Sequence, residues 1–373
     1  MTKKTIWNWQ QDDWPNFQYD TKQLIDFENK FLRQSGVVSG LYKHISAADQ
    51  KSITVKLICN EAIKTSEIEG EFLDRASLQS SIKRYFGLAA PLSRNHPAEN
   101  GIAEMMTDLY YHYKLPLTHE VLWKWHAMLM SGRRDLHDIG RYRTHIESMQ
   151  IISGAIHNPK VHFEAPPSKQ VMSEMDAFIN WFNTTAPNGE KPLPPLIRAG
   201  IAHLYFVSIH PFEDGNGRIG RTIVEKIMAQ YLQQPTLIAI SQAISSNKKA
   251  YYSALEIQNK SNKITDFLIY FSKTILLAQE YTIAGIEFII KKTKFFDQFA
   301  NKMNPRQHKV IFRMLREGPK GFTGGLSADN YTKIAKTSPS TATRDLKDLV
   351  EKQILRKTGK LKATRYWLCF MDE

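Results

Sequence analysis

Two apolar helical stretches meet at a polar turn inside residues 195–232, and this junction constrains the chain more than any other feature. Ile197, Ile201, Leu204 and Val207 recur at helical spacing and turn one face of a helix into a core. Ile219, Ile223 and Ile227 do the same for a second helix. Between them, from His210 to Arg221, the chain reads HPFEDGNGRIGR. A turn held between two core helices lies against that core. Its histidine, its acids and its two arginines therefore need partners of their own.

Each residue type in the turn suits a polyphosphate ligand. Asp214 can hold a hard divalent cation such as Mg2+, which prefers oxygen ligands and bridges to substrate phosphates. Gly215, Asn216 and Gly217 tolerate positive φ and can aim their N–H groups at an anion. A helix beginning there adds the positive end of its dipole. Arg218 and Arg221 can take phosphate oxygens two at a time. His210 supplies a side chain that moves a proton near neutral pH. Taken singly, each has a plainer use: a histidine after an apolar run packs, and Gly-Asn-Gly turns a corner. The plain uses do not account for all of them standing together.

These residues resemble the signature of the Fic family, HxFx(D/E)GNGRxxR, at every fixed position: His210, Phe212, Asp214, Gly215, Asn216, Gly217, Arg218 and Arg221. The resemblance implies a mainly α fold, a Fic-type helical core with a β-hairpin flap. It implies transfer of AMP from ATP to a Ser, Thr or Tyr hydroxyl of a target protein. His210 is then the catalytic base and Asp214 the Mg2+ ligand. Gly215, Asn216, Gly217, Arg218, Ile219, Gly220 and Arg221 bind the nucleotide, with Asn216 on the α-phosphate. A tyrosine pair followed seven residues later by an asparagine forms part of the family's adenine pocket, and Tyr251, Tyr252 and Asn259 fit that pattern. Tyr252 and Asn259 are the preferred pair, although two tyrosines in a helix also simply pack.

Upstream, residues 50–72 read as a helix on Val55, Ile58, Ala62, Ile68 and Phe72. It contains KTSEIEGE, which resembles the family's inhibitory motif (S/T)xxxE(G/N) through Thr65, Glu69 and Gly70. The resemblance assigns Glu69 as an inhibitory acid that pairs with Arg221. Before it, Trp7, Trp9, Trp14, Phe17 and Tyr19 suggest a segment docked on the body of the protein, followed by a helix over 21–32. Further helices are expected over 77–87, 98–114, after a cap at Thr118, over 168–182, over 195–208 and over 263–291. His119, His126 and His137 lack metal-ligand spacing and read as structural.

The periodicity changes near residue 150. Gln150–Ile152 and Val161–Phe163 are β-prone, and Ser153, Gly154, His157, Asn158 and Pro159 between them are turn formers. In Fic proteins a hairpin at this place holds an extended piece of the target by strand addition. The target protein is thus expected under the 150–163 hairpin.

The charge is uneven. From Lys291 to Glu373 the chain carries 19 Lys and Arg against 8 Asp and Glu, a net of +11 out of +13 for the whole. NPRQHKVIFRMLREG reads as a helix, Asp329 as the cap of a short one, and STATRDLKDLVEKQIL as another after a turn at Ser338 and Pro339. RKTGKLKATRYWL reads as two strands about a glycine turn. The order resembles a winged helix-turn-helix, with Ser340, Thr341, Thr343, Arg344 and Lys347 facing a DNA groove and Lys357, Lys360, Lys362 and Arg365 meeting phosphates. Three regions are therefore expected: 1–95 with the inhibitory helix, 96–290 as catalytic core, and 291–373 as a basic module contacting DNA through 304–367.

Cys59 and Cys369 stand far apart and suggest neither a disulfide framework nor a zinc site, so a cytoplasmic setting is expected. The N-terminus has no apolar core of signal-peptide length, and no apolar run reaches a membrane span, so no membrane partner is expected. Self-modification and a homodimer are compatible with the sequence, and no residue selects either. Two alternatives stay open: a DNA-binding regulator whose core only senses a nucleotide, and a Fic-type enzyme using another donor.

Overall fold

The computed structural model describes residues 6–43, 45–90, 96–155, 158–235, 238–318 and 321–369. The chain divides into two compact units. The first comprises Met1–Gly40 with Ser46–Thr282, and the second Leu41–Ile45 with Ile283–Glu373.

The first unit is helical around one buried helix. Pro195–Ile209 is sunk in the core along its whole length except Val207. Such a helix has no polar face to show water, so its ends need internal partners. At its N-terminus the buried Glu28 carboxylate accepts from Leu196 N–H (3.0 Å) and Ile197 N–H (2.9 Å). Along its side, Arg198 spends its guanidinium on Gln230 Oε1, Thr185 Oγ1 and the Phe182 carbonyl. Against it packs Asn216–Leu232, buried almost as completely. Gly220 permits the contact between the two, since a Cβ there would stand 3.2 Å from His203 Nδ1.

Around this pair lie α1 (Ile25–Lys43), α2 (Ala47–Ile68), α3 (Arg75–Tyr85), α4 (Pro97–His112), α5 (His119–Leu129) and α6 (Ser168–Thr184). The central helices are α7 and α8, followed by α9 (Ile240–Ser246), α10 (Lys248–Gln258) and α11 (Thr265–Phe299). Thr118 caps α5 through Val121 N–H, as its sequence position suggests. The helix expected to end at Lys291 runs on to Phe299, because Phe288, Phe295 and Phe299 keep the apolar period going.

The hairpin pairs β1 (Gln150–Ala155) with β2 (Asn158–Glu164), both longer than the β-prone runs alone. Gln150 faces Glu164 and Ile151 faces Phe163, then the register shifts so that Ile152 faces Val161. That irregularity twists the ribbon at its base. His157, one of the expected turn formers, lies outside the described residues.

The second unit packs Val310, Ile311, Met314, Leu346, Leu349, Ile354 and Leu368 into its own core. Its helices are α12 (Pro305–Leu315), α13 (Ala328–Ala335) and α14 (Pro339–Glu351), and β3 (Leu355–Thr358) pairs with β4 (Arg365–Leu368). Asp345 ties the three helices together, accepting from Arg306 Nε (2.9 Å), Tyr331 OH (3.0 Å) and Asn304 Nδ2 (3.1 Å). The cap of α13 is Ser327, whose hydroxyl accepts from Asn330 N–H; Asp329 sits in the first turn instead. Among the described residues no helix is long and apolar enough to cross a membrane, and both cysteines are free thiols.

Candidate active site

Helix α7 ends at His210, whose backbone is left-handed (φ 51, ψ 58). A non-glycine residue there stores about 1–3 kcal/mol of strain, so the surroundings must hold it. Its N–H donates to the Phe206 carbonyl and its own carbonyl accepts from Arg143 Nε at 2.8 Å. Its Nδ1 lies 3.3 Å from the Val207 carbonyl, which places the proton on Nδ1 and leaves Nε2 with a lone pair. Burial pushes the imidazole down to about 4, the nearby Arg143 charge adding to it and Glu69 and Asp214 opposing it. His210 is therefore a neutral acceptor at pH 7.

The turn after it is closed by one side chain. Asn216 accepts from Phe212 N–H (3.0 Å) and donates to the Phe212 carbonyl (2.8 Å). Its oxygen and one amide N–H thus close the loop, which leaves a second amide N–H and the backbone N–H. Phe212 is fully buried and stacks on His126 at 4.1 Å and 7°. His126 donates through Nε2 to the Asp214 carbonyl and accepts at Nδ1 from Gly140 N–H. Burial lowers its pKa to about 4, which keeps both bonds. Gly215 then starts α8 at φ 84 with no side chain to cap it. The first N–H groups of α8 have no intrahelical partner, so they present a cradle for an anion.

Asp214 is half-buried. Its Oδ1 accepts from Gly215 N–H at 2.5 Å and its Oδ2 from Arg133 Nη1 at 2.7 Å. Burial works to raise its pKa, but Arg133, Arg218 and the Gly215 N–H outweigh it and hold the carboxyl below its ordinary range. Among the described residues no three His, Cys, Asp or Glu side chains gather as a metal site. One ionised carboxylate beside a phosphate cradle nonetheless fits Mg2+, which takes one or two protein ligands and fills the rest with phosphates and water.

The C-terminal turn of α2 carries acids onto both arginines of the signature. Arg221, 1% exposed, donates through Nε to Thr65 Oγ1 (2.7 Å) and through Nη2 to the Thr65 carbonyl (3.0 Å) and to Glu69 Oε1 (2.7 Å). One helical turn earlier, Arg218 Nη1 donates to Glu71 Oε2 at 2.6 Å. Gly70 between the two acids takes φ 84, which reverses the chain and lets both carboxylates point at α8. A Cβ on Gly217 would collide with Glu69 Oε1, so that carboxylate lies over the start of α8. Arg221 Nη1 and Arg218 Nε are buried without a hydrogen-bond partner. Buried guanidinium donors without acceptors mark a place built for more anionic oxygen than the protein itself supplies.

A cavity of about 620 Å³ opens beside this cluster, lined among others by Glu69, His210, Gly217, Tyr252 and Asn259. Of the expected nucleotide residues, Gly217, Tyr252 and Asn259 line it, and Arg221 reaches Glu69 on its wall. Ile219 is fully buried in the core, and Gly220 faces His203 across the helix pair, so neither side turns to the cavity. Tyr251 is buried, and its hydroxyl meets His203 Nε2 at 2.8 Å. Tyr252 is 42% exposed and its ring lies under Lys248 Nζ at 5.6 Å. The hairpin supplies Ile151, Ile152, Ser153, His162 and Phe163 to the same cavity.

Three sets of residues join the site from outside the signature. Arg133, Glu71 and Arg143 answer the signature from distant segments. Glu256 on α10 holds the hairpin through Lys160 Nζ (3.2 Å) and His162 Nδ1 (3.0 Å), while His162 Nε2 meets Ser153 Oγ (2.6 Å). The N-terminal segment braces the cavity wall: Asn8 N–H donates to the Asn259 carbonyl (2.7 Å), and Trp9 Nε1 to the Glu164 carbonyl (2.7 Å). Only the aromatic density of residues 7–19 hinted at the last of these.

In the second unit, Ser340, Thr343, Arg344 and Lys347 lie exposed on one face of α14, with Ala342, Leu346 and Leu349 buried on the other. Thr341 is half-buried. Lys357, Lys360 and Lys362 are exposed on the hairpin, and Arg365 turns back onto the carbonyls of Lys362 and Thr364.

Residues 116–228 match the model of the Fic/DOC family, and residues 7–88 match a domain of unknown function, DUF4172. The chain is 28% identical over 142 residues to protein adenylyltransferase fic-1 of Caenorhabditis elegans, a match covering 38% of this chain and 24% of that protein. It is 32% identical over 88 residues to protein adenylyltransferase Fic of Drosophila mojavensis, covering 24% of this chain and 16% of the relative. The chain thus spans a quarter or less of these relatives. In fold it resembles a Fic family protein from Desulfovibrio desulfuricans G20, with TM-score 0.52 and 20% identity over 92% of this chain and 95% of that one.

Proposed function

We propose that this chain transfers AMP from ATP to a hydroxyl side chain of a target protein, and that α2 restrains the reaction. The observation that carries the reading is a neutral His210 and the Gly217 start of α8 lining one cavity, with the partnerless donors of Arg218 and Arg221 on the first turns of the same helix. Phosphates lie against the N–H groups of residues 216–218 and the two guanidinia, and the base stacks near Tyr252 with Asn259 at its edge. Asp214 would hold Mg2+, which when bound would supply positive charge against the leaving pyrophosphate. Arg133 keeps Asp214 ionised through its bond to Oδ2.

The target hydroxyl enters along the 150–163 hairpin as an added strand. His210 Nε2 takes its proton as the oxygen attacks the α-phosphorus. The bond from that phosphorus to the bridging oxygen breaks, and pyrophosphate leaves. A polyphosphate beside His210 raises its pKa from about 4 toward neutral, which makes it a stronger base when substrate is present. Preorganised cationic donors do the rest of the work.

Glu69 opposes this state. Its carboxylate neutralises Arg221 and lies over the seat of the phosphates. Two like charges about 4 Å apart repel by about 4 kcal/mol at an effective dielectric of about 20. Glu71 does the same service at Arg218. ATP must displace these carboxylates to bind productively.

The test is incubation of wild type, Glu69→Gly and His210→Ala with α-labelled ATP and Mg2+ in the presence of lysate. Label on protein that is strong for Glu69→Gly, weak for wild type and absent for His210→Ala is expected. No label with any of them, with ATP binding established, would overturn adenylyl transfer. A second reading concerns the basic unit: the single exposed face of α14 and the three exposed hairpin lysines support DNA contact through a winged-helix module. Duplex binding that weakens with salt tests it.

A further inference from the structure

Arg143 is 2% exposed, and among the described residues no carboxylate lies within ion-pair distance of it. A buried, unpaired guanidinium is costly, and Arg198 spends one on a tie within the helical core, so what distinguishes Arg143 is where its donors go. Arg143 instead directs its donors at the junction that carries His210. Nε donates to the His210 carbonyl (2.8 Å), and Nη2 to the Pro166 carbonyl (2.5 Å) and, longer, to the Ile209 carbonyl (3.4 Å). Nη1 donates to Ser168 Oγ (2.9 Å), itself anchored on the His145 carbonyl (2.6 Å). The backbone N–H of Arg143 closes the set on the Pro211 carbonyl at 3.0 Å.

We propose that Arg143 is a positioning residue for His210, fixing the left-handed backbone of the base from behind and keeping an uncompensated positive charge beside its ring. The first part follows from the positive φ of His210, an uncommon and costly conformation for a residue with a side chain, which neighbouring bonds must hold. The second follows from the charges that face the imidazole: Arg143 as the cation, Glu69 and Asp214 as the anions, with the Val207 carbonyl on Nδ1. Arg143 alone among these favours the neutral ring that can accept a proton. Mispositioning a reacting group by about 1 Å costs about a hundredfold in rate, so the clamp is worth that order in kcat. This inference rests on His210 acting as the base.

The experiment uses the full chain in the Glu69→Gly background, with Arg143→Met, Arg143→Lys and Ser168→Ala. The His210 ring is followed by NMR through a pH titration, and kcat and the KM for ATP are measured across pH. Arg143→Met is expected to raise the pKa of His210 and to move the acid limb of kcat upward with it. It should also lower kcat at least tenfold, with the KM for ATP unchanged. Arg143→Lys should leave the limb in place and lower kcat, because charge survives and the fork is lost. Ser168→Ala, which removes one anchor and keeps the charge, should lower kcat severalfold without altering ATP binding. An unmoved His210 titration in Arg143→Met, or an unchanged kcat in Ser168→Ala, overturns the proposal. The NMR titration reads the coupling whether or not transfer occurs, so it separates this failure from failure of His210 as the base. If Arg143→Met does not fold, Ser168→Ala and Arg143→Lys decide.

Discussion

Glu71 and Arg218 form an ion pair of 2.6 Å one helical turn from the pair of Glu69 with Arg221 at 2.7 Å. The two acids flank Gly70 on one turn, and the two arginines stand three residues apart on α8, so the pairs are matched in spacing. Glu69→Gly alone should therefore leave Arg218 engaged. Adding Glu71→Gln is expected to tighten ATP by up to about a further fivefold, since a partly exposed pair of this kind contributes up to about 1 kcal/mol. Calorimetric titration of ATP and Mg2+ into the single and double variants measures it. Equal affinities would assign Glu71 to the surface.

His210→Ala should lower transfer by a factor of about 100 to 10,000, the usual contribution of a positioned base, while ATP affinity stays within about twofold. Binding and labelling are read on the same preparation. A parallel loss of ATP binding would mean that the ring serves the nucleotide rather than the proton.

Three histidines are held neutral in the fold. Burial lowers His126 and His210 to about 4 and His203 to about 3. Each pKa is below its unfolded value of about 6.5, so the unfolded chain binds more protons as pH falls. Their contribution is whole above pH 6.5 and is lost progressively from there down toward pH 4. Denaturant unfolding at pH 7, 6 and 5 should show stability falling at about 1.4 kcal/mol per unit for each group that titrates fully. A flat profile would place water against these rings.

Asn216→Ala strips both partners from the Phe212 backbone and should cost about 1–3 kcal/mol, seen as a lower midpoint of thermal unfolding. Asn216→Asp restores the acceptor but not the donor and should lie between.

Glu256→Gln removes the charge that Lys160 and His162 share, so the hairpin should loosen over the cavity. The KM for a protein target should rise and that for ATP should not. Steady-state kinetics with each substrate varied in turn separates them.

Much of the site was legible because its members are local. His210 through Arg221 occupy one turn and the start of one helix, and helical spacing placed them. Glu69 and Arg221 were paired by resemblance, and they stand 2.7 Å apart. What escaped was built from afar. Arg133 and Arg143 look like ordinary surface arginines in sequence, and only the tertiary fold brings them to Asp214 and His210. Asn216 reads as a phosphate ligand by position, and its structural part, closing the turn on Phe212 through its oxygen and one amide hydrogen, is not visible in the sequence. Ser327 outranks Asp329 as a cap because the chain enters α13 two residues sooner, which helix-boundary reading does not resolve. The strands of the hairpin outrun their apolar residues because pairing, once begun, includes Ser153 and Lys160 as well.

The brace between Asn8 and Asn259 has a consequence for synthesis. The two residues lie in one hydrogen bond, and Asn262 Nδ2 adds a second to the Asn8 carbonyl. A nascent chain holds Asn8 long before Asn262 has left the ribosome, a delay on the order of tens of seconds at about 5–20 residues per second. The helix bearing Glu69 is made in that interval, well ahead of the arginine it covers. The segment carrying Glu69 is thus translated before Arg221, and the bond from Asn8 to Asn259 closes later still.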